Sequence, residues 1–201
     1  MSTKINITPG NVIKFGDIEF IVLDLIGDEM LVIAKDSVYA AEFDIDRTNN
    51  FRDSTIRTYL NSSFLDRLAD NGADVSMIME HAIELTSDDG LKDYGMSVQK
   101  VFLLTTEMYR KYRSLIPRIN HWWWTSTPYS TEANGYRSTV CYVHVDGAID
   151  KQMADDEDCA IRPAFYLKAS VLKSVAPTVS LAEFSTEELL KEVMRRNAET
   201  D

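Results

Sequence analysis

The stretch from Trp122 to Lys168, WWWTSTPYSTEANGYRSTVCYVHVDGAIDKQMADDEDCAIRPAFYLK, restricts the fold more than any other part of the chain. Its β-branched and aromatic residues fall in short alternating runs cut by turn residues, which is the pattern of strands. Val140-Cys141-Tyr142-Val143 and the residues after Asp146-Gly147 read as a hairpin, and Arg162-Pro163-Ala164-Phe165 opens another strand. Two long connections separate these pieces: YSTEANGYRS at 129–138 and the acidic run Asp155-Asp156-Glu157-Asp158.

Upstream, Val12 to Phe15, Ile18 to Ile26 and Met30 to Ala34 alternate in the same way, with turns at Gly16-Asp17 and Gly27-Asp28. Val38 to Phe43 reads as a shorter edge strand. The period changes at Asp53. Ile56, Leu60, Phe64 and Leu68 recur every four residues and make one helical stripe, with Asp53 or Ser54 placed to cap it. Asn61-Ser62-Ser63 interrupts the helix formers, so one helix and two short helices meeting at Asn61 both fit. A helical turn is expected near Val75–Met79, strands at Ala82–Leu85 and Val101–Leu104, and a second helix from Thr105 to about Arg113, stopped by Pro117.

Length bounds the organisation: 201 residues fill one core and do not make two domains the default. The expected domain covers residues 1–173, followed by a linker at 174–184 and a C-terminal helix and tail at 185–201. Ser185-Thr186-Glu187-Glu188 has the form of a capping box, and Leu189, Leu190, Val193 and Met194 fall on one face of the helix that follows. So short a stripe is not stable alone, and it must dock on this domain, on a second copy or on a partner.

With these landmarks in order, the chain resembles a large, functionally uncharacterised family of bacterial and phage domains. Its opening hairpin of the form G-x-x-x-x-x-V-L-D is matched by Gly16 to Asp24. Its helix S-x-I-R-x-W-L-N-x-x-F is matched by Ser54, Ile56, Arg57, Leu60, Asn61 and Phe64, with Tyr59 in the Trp position. Val101 to Glu107 match a V-F-L-L-S-x-x-E segment. The last block, W-W-L-R-S-P, Y-V-x-x-x-G and R-P-A-x-x-L, is carried by Trp122, Trp123, Ser126, Pro128, Tyr142, Val143, Gly147, Arg162, Pro163, Ala164 and Leu167. Thr125 stands where that block has Arg. The resemblance spans about residues 12–171 and implies a compact α+β domain of the C-type-lectin-like kind, in the variant shared with formylglycine-generating enzymes. Its implied features are a mostly antiparallel twisted sheet and two main helices.

The residues do not assemble a catalytic set. Cys141 and Cys159 have no Lys, Arg or His arranged to depress their pKa, and two thiols in a chain of this length fit a reducing cytoplasm. Cys141 and His144 have C-x-x-H spacing, yet residues three apart on a strand point to opposite faces. Asp44-Ile45-Asp46-Arg47-Thr48 begins like a calcium loop, but Asn49 replaces its Gly and Thr55 its bidentate Glu. No metal site and no cofactor are expected. The opening MSTKINITPGN carries no secretory-signal pattern, and no apolar run approaches the ~20 residues of a membrane span.

A net charge of −11 argues against direct nucleic-acid binding, which needs clustered Lys and Arg. The same charge admits an acidic nucleic-acid mimic, a phage or mobile-element inhibitor of a host nucleic-acid enzyme, as the alternative reading. The leading expectation is a non-catalytic recognition module for a protein partner, with loops 129–138 and 151–158 as its face. Trp123, Tyr129, Tyr136 and Arg137 would make contact there, and Leu190 and Met194 on the C-terminal helix, where a homodimer is also open. For the Trp triplet two arrangements fit: two rings in the core and Trp123 on the opposite face, or an exposed Trp beside Tyr129 and Tyr136. Arg57, Asn61 and Arg162 are expected as struts that satisfy backbone groups.

Overall fold

Two sequence periods organise the structure, an alternation of two that builds sheets and a stripe of four that builds a helix. The computed structural model describes residues 7–170. The expected linker at 174–184 and the C-terminal helix with Leu190 and Met194 lie outside the described residues. So does the expected domain boundary at residue 173.

The chain opens with a meander of β1 (Val12–Phe15), β2 (Ile18–Ile26) and β3 (Glu29–Ala34), followed by the two-residue β4 (Tyr39–Ala40). Gly27, with φ of +61°, closes the β2–β3 turn in the left-handed region that glycine tolerates best. The helical stripe forms α1 (Thr55–Leu60) and α2 (Ser63–Asp70), and all four of its apolar residues, Ile56, Leu60, Phe64 and Leu68, are buried. Ser54 caps α1 by accepting from the Arg57 N–H at 3.3 Å.

β5 (Ile78–Met79), β6 (His81–Glu84), β7 (Met96–Gln99) and β8 (Val101–Phe102) come next, then α3 (Thr106–Tyr112). The chain continues through β9 (Trp123–Pro128), β10 (Thr139–Val143), β11 (Ile149–Met153), β12 (Ala160–Ile161) and β13 (Ala164–Lys168). Thr105 caps α3 by accepting from the Met108 N–H at 3.1 Å. No helix of the described residues is long and apolar enough to cross a membrane.

The architecture is α+β. One sheet runs β1-β2-β3-β13-β5, with β8 also pairing on β13, and a second runs β11-β10-β9-β12-β4. The pairings are antiparallel except for β12 beside β9. β13 thus enters the first hairpin's sheet, Phe165 opposite Val32, and the Phe165 ring packs between Phe15 and Phe20. β6 and β7 form a separate ribbon. β7 was not anticipated: its alternation runs over only four residues and is inverted, with Met96 and Val98 exposed and Ser97 and Gln99 buried.

Candidate functional site

The loop at 129–138 connects β9 to β10, and buried polar side chains tie it down on several sides. Asn49, fully buried, shares its two side-chain N–H bonds among the carbonyls of Ser130 (2.8 Å), Tyr136 (2.8 Å) and Thr139 (3.0 Å). Its Oδ1 accepts from the Tyr94 hydroxyl at 2.7 Å, and that hydroxyl accepts from the Glu132 N–H at 3.2 Å. Ser130 donates to Asp89 at 2.7 Å and Thr131 to Asp93 at 2.8 Å. Hydrogen bonds from the Ser87 and Ser130 hydroxyls hold the Asp89 carboxyl below its usual range. Gly135, at φ of +79°, ends the short turn Glu132–Asn134 and lets the Tyr136 N–H return to the Thr131 carbonyl at 3.1 Å.

On this base the Tyr129 and Tyr136 rings meet edge to face at 5.5 Å, and the Lys151 ammonium lies 3.5 Å from the centre of the Tyr129 ring. Tyr136 is 49% exposed, Arg137 is exposed, and Arg137 has no carboxylate partner among the described residues. Met153, paired with Thr139 across the β10–β11 hairpin, extends the surface. The structure therefore brings together Tyr129 and Tyr136, with the exposed Arg137 next in the chain, and adds Lys151 and Met153 from the expected face at 151–158, neither of which the sequence singled out.

Trp123 is not part of that surface. It is buried, edge to face with Tyr109 at 5.4 Å and beneath the Arg162 guanidinium at 5.0 Å. The expectation of an exposed Trp123 fails because both faces of β9 are covered, by Tyr109 of α3 and Arg162 at Trp123 and by Phe43 at Trp124, and every residue from Trp123 to Pro128 is buried. Alternation exposes one face of a strand only where that face meets water. Trp124 is also buried and donates Nε1–H to the Ala41 carbonyl at 2.9 Å. Trp122 is the half-buried member, stacked on Tyr142 at 5.2 Å. Thr125 is buried and donates to the Cys141 carbonyl at 2.7 Å.

Asn61 sits at the break between α1 and α2. Its Nδ2 donates to the carbonyls of Arg57 (3.0 Å) and Val101 (2.8 Å), and its Oδ1 accepts from Lys100 N–H (3.1 Å) and Val101 N–H (3.0 Å). The helix break is thus pinned to β8. Arg57 differs: its Nε is buried with no hydrogen-bond partner among the described residues. Arg162, fully buried, directs its fork to the carbonyls of Ala34 (3.1 Å), Lys35 (2.9 Å) and Pro117 (3.2 Å). Burial pushes its pKa down to about 10, which leaves it charged at neutral pH.

Residues 106–169 match the family model of a domain of unknown function, DUF6273. The matched DUF6273 segment runs from α3 to the end of β13 and contains Trp123, Tyr129, Tyr136, Arg137 and Arg162. It also contains the last motif block of the resemblance, from Trp122 to Leu167. An uncharacterised family is what those motifs imply. No curated protein and no solved structure matches the chain.

The chemistry open to these residues is limited by burial. Burial pushes the Cys141 thiol up to about 12, and the Cys159 thiol is also pushed up, so both are neutral thiols rather than nucleophiles at physiological pH. No three His, Cys, Asp or Glu side chains gather as metal ligands among the described residues. The loop at Asp44 shows why its calcium-like spelling is misleading. The buried Asp44 carboxylate accepts backbone N–H bonds from Asp46 (3.0 Å), Thr48 (2.9 Å) and Thr55 (2.8 Å). Its oxygens face donors, which is the environment of a structural carboxylate.

Proposed function

We propose that the chain is a non-catalytic recognition module, on a C-type-lectin-like scaffold of bacterial or phage origin, that holds a protein partner against the loop at 129–138. The observation that carries this reading is the bracing of that loop by Asn49, Asp89, Asp93 and Tyr94 beneath an aromatic pair, half-buried Tyr129 and exposed Tyr136. A loop already fixed in one conformation loses little entropy when a partner docks, so more of the contact energy appears as affinity. Tyr and Arg are the side chains that anchor interfaces best, because each combines a broad apolar face with a polar tip. Neutral, buried thiols support binding over covalent chemistry. A cytoplasmic location and a contact role for Leu190 and Met194 belong to the same proposal.

The test compares the full chain with a Tyr129→Ala/Tyr136→Ala/Arg137→Ala variant in co-purification from host cells, with the unfolding midpoint of each recorded. Loss of a specific partner at an unchanged midpoint is the expected result. A partner held equally well by the folded triple variant would move the binding face elsewhere.

A further inference from the structure

The closed end of the β10–β11 hairpin, away from the Tyr129–Tyr136 pair at its open end, meets the C-terminal end of α3 in a cleft of about 490 Å³. Arg110, Lys111, Arg113 and Arg118 line it and no carboxylate does. In a chain with 32 acidic and 21 basic residues, four cations without an acid are a concentration that composition does not supply. Neighbouring clefts differ: the one of about 640 Å³ mixes Glu84, Asp88 and Glu107 with Arg110 and Lys111.

Two of the cations are already engaged at one side. Arg110 reaches Asp88 at 3.0 Å and Lys111 reaches Asp24 at 3.3 Å. Arg113 and Arg118 have no carboxylate within ion-pair distance among the described residues. The nearby Asp146 is spent on its own turn, accepting from the Ala148 N–H at 2.8 Å and lying 3.0 Å from His144.

The wall beneath Arg113 is built. The Tyr109 hydroxyl donates to the Gly147 carbonyl at 2.9 Å, and the Arg113 guanidinium lies 5.6 Å from the centre of the Tyr109 ring. A Cβ on Gly147, at φ of +82°, would stand 3.0 Å from the Tyr109 hydroxyl and 3.1 Å from the Arg113 guanidinium. Gly147 thus lets the hairpin turn approach α3 closely enough for Tyr109 to seat Arg113. The helix dipole accounts for basic residues in the last turn of α3, but Arg118 lies beyond that turn, past Pro117.

We propose that this cleft binds a phosphate group carried on a small molecule. Guanidinium forks match phosphate oxygens two at a time, and the planar Tyr109 ring and buried Ile116 supply an apolar wall for the remainder of the ligand. The net charge of −11 repels an extended polyanion at long range, whereas a compact dianion within the cleft feels chiefly the nearby cations.

The test is calorimetric titration of the full chain with inorganic phosphate, pyrophosphate, glycerol phosphate and a short single-stranded RNA. The expected result is saturable binding of pyrophosphate or glycerol phosphate with Kd of about 1 mM or tighter. Affinity should weaken about tenfold or more in Arg113→Ala and in Arg118→Ala, and less in Arg113→Lys. Lys14→Ala, an exposed cation on β1, should leave it unchanged. Unfolding midpoints of the Arg variants separate lost binding from lost folding. Inorganic phosphate binding as tightly as glycerol phosphate would identify free phosphate as the ligand and overturn the small-molecule carrier. No saturable binding, an equal loss in Lys14→Ala, or RNA binding tighter than every small phosphate would overturn the proposal.

Discussion

Asn49→Ala tests whether the loop at 129–138 is braced or merely adjacent to its neighbours. Asn49 makes four side-chain hydrogen bonds from a fully buried position, but they are not equal. Thr139's carbonyl also accepts from the Tyr129 N–H at 3.0 Å, and the exposed Tyr136 places its carbonyl near water. The buried Ser130 carbonyl and the Tyr94 hydroxyl donor lose their recorded partner outright. One buried and one half-buried group left unsatisfied, at about 1 kcal/mol or slightly more each, give an expected loss of about 2–3 kcal/mol. For a chain of this size that is a drop of about 5–10 °C in the unfolding midpoint. Urea and thermal unfolding measure both quantities, and amide exchange should quicken in residues 129–138 relative to the β2–β3 hairpin. Asn49→Asp sharpens the test, since it keeps the shape but aims acceptor oxygens at three carbonyls and should cost more than Ala. A loss below about 0.5 kcal/mol for Ala, the range of an ordinary surface change, would refute the bracing argument. So would an Asp variant more stable than the Ala variant.

Asp24 accepts from the Tyr112 hydroxyl at 2.6 Å and lies 3.3 Å from Lys111; these contacts, Tyr112 foremost, hold its carboxyl below its usual range. A folded-state value below the unfolded one gives stability that is present above the unfolded pKa of about 4 and lost as pH falls through the folded value. Asp24→Asn should therefore be less stable at pH 7 and should lose less on acidification below about pH 4; matching acid limbs for the two proteins in urea titrations would remove Asp24 from the account. Arg162→Lys should cost about 2–4 kcal/mol in chemical denaturation, because one ammonium cannot span the carbonyls of Ala34, Lys35 and Pro117. An unchanged midpoint would mean that water satisfies those carbonyls.

The sequence by itself determined the local elements. Alternation fixed the β2–β3 hairpin with its Gly27-Asp28 turn, and spacing by four fixed the stripe Ile56, Leu60, Phe64 and Leu68. Asn61 as the helix break was legible because Asn favours caps and turns wherever it stands. These signals involve residues two to four apart, and the backbone's own periods impose them. Tyr129, Tyr136 and Arg137 were legible as loop residues, and the exposure of Tyr136 and Arg137 followed from that, whereas Tyr129 is half-buried. Tertiary structure alone decided the rest. Trp123 was buried by Tyr109 of α3 and by Arg162, and no alternation within β9 records how many of its faces are covered. Asn49 found its loop more than 80 residues away, and Arg162 found carbonyls 127 and 128 residues away. A carbonyl left free by a loop is the same atom whichever residue carries it, so the sequence has no letter for the partner that such a side chain will meet.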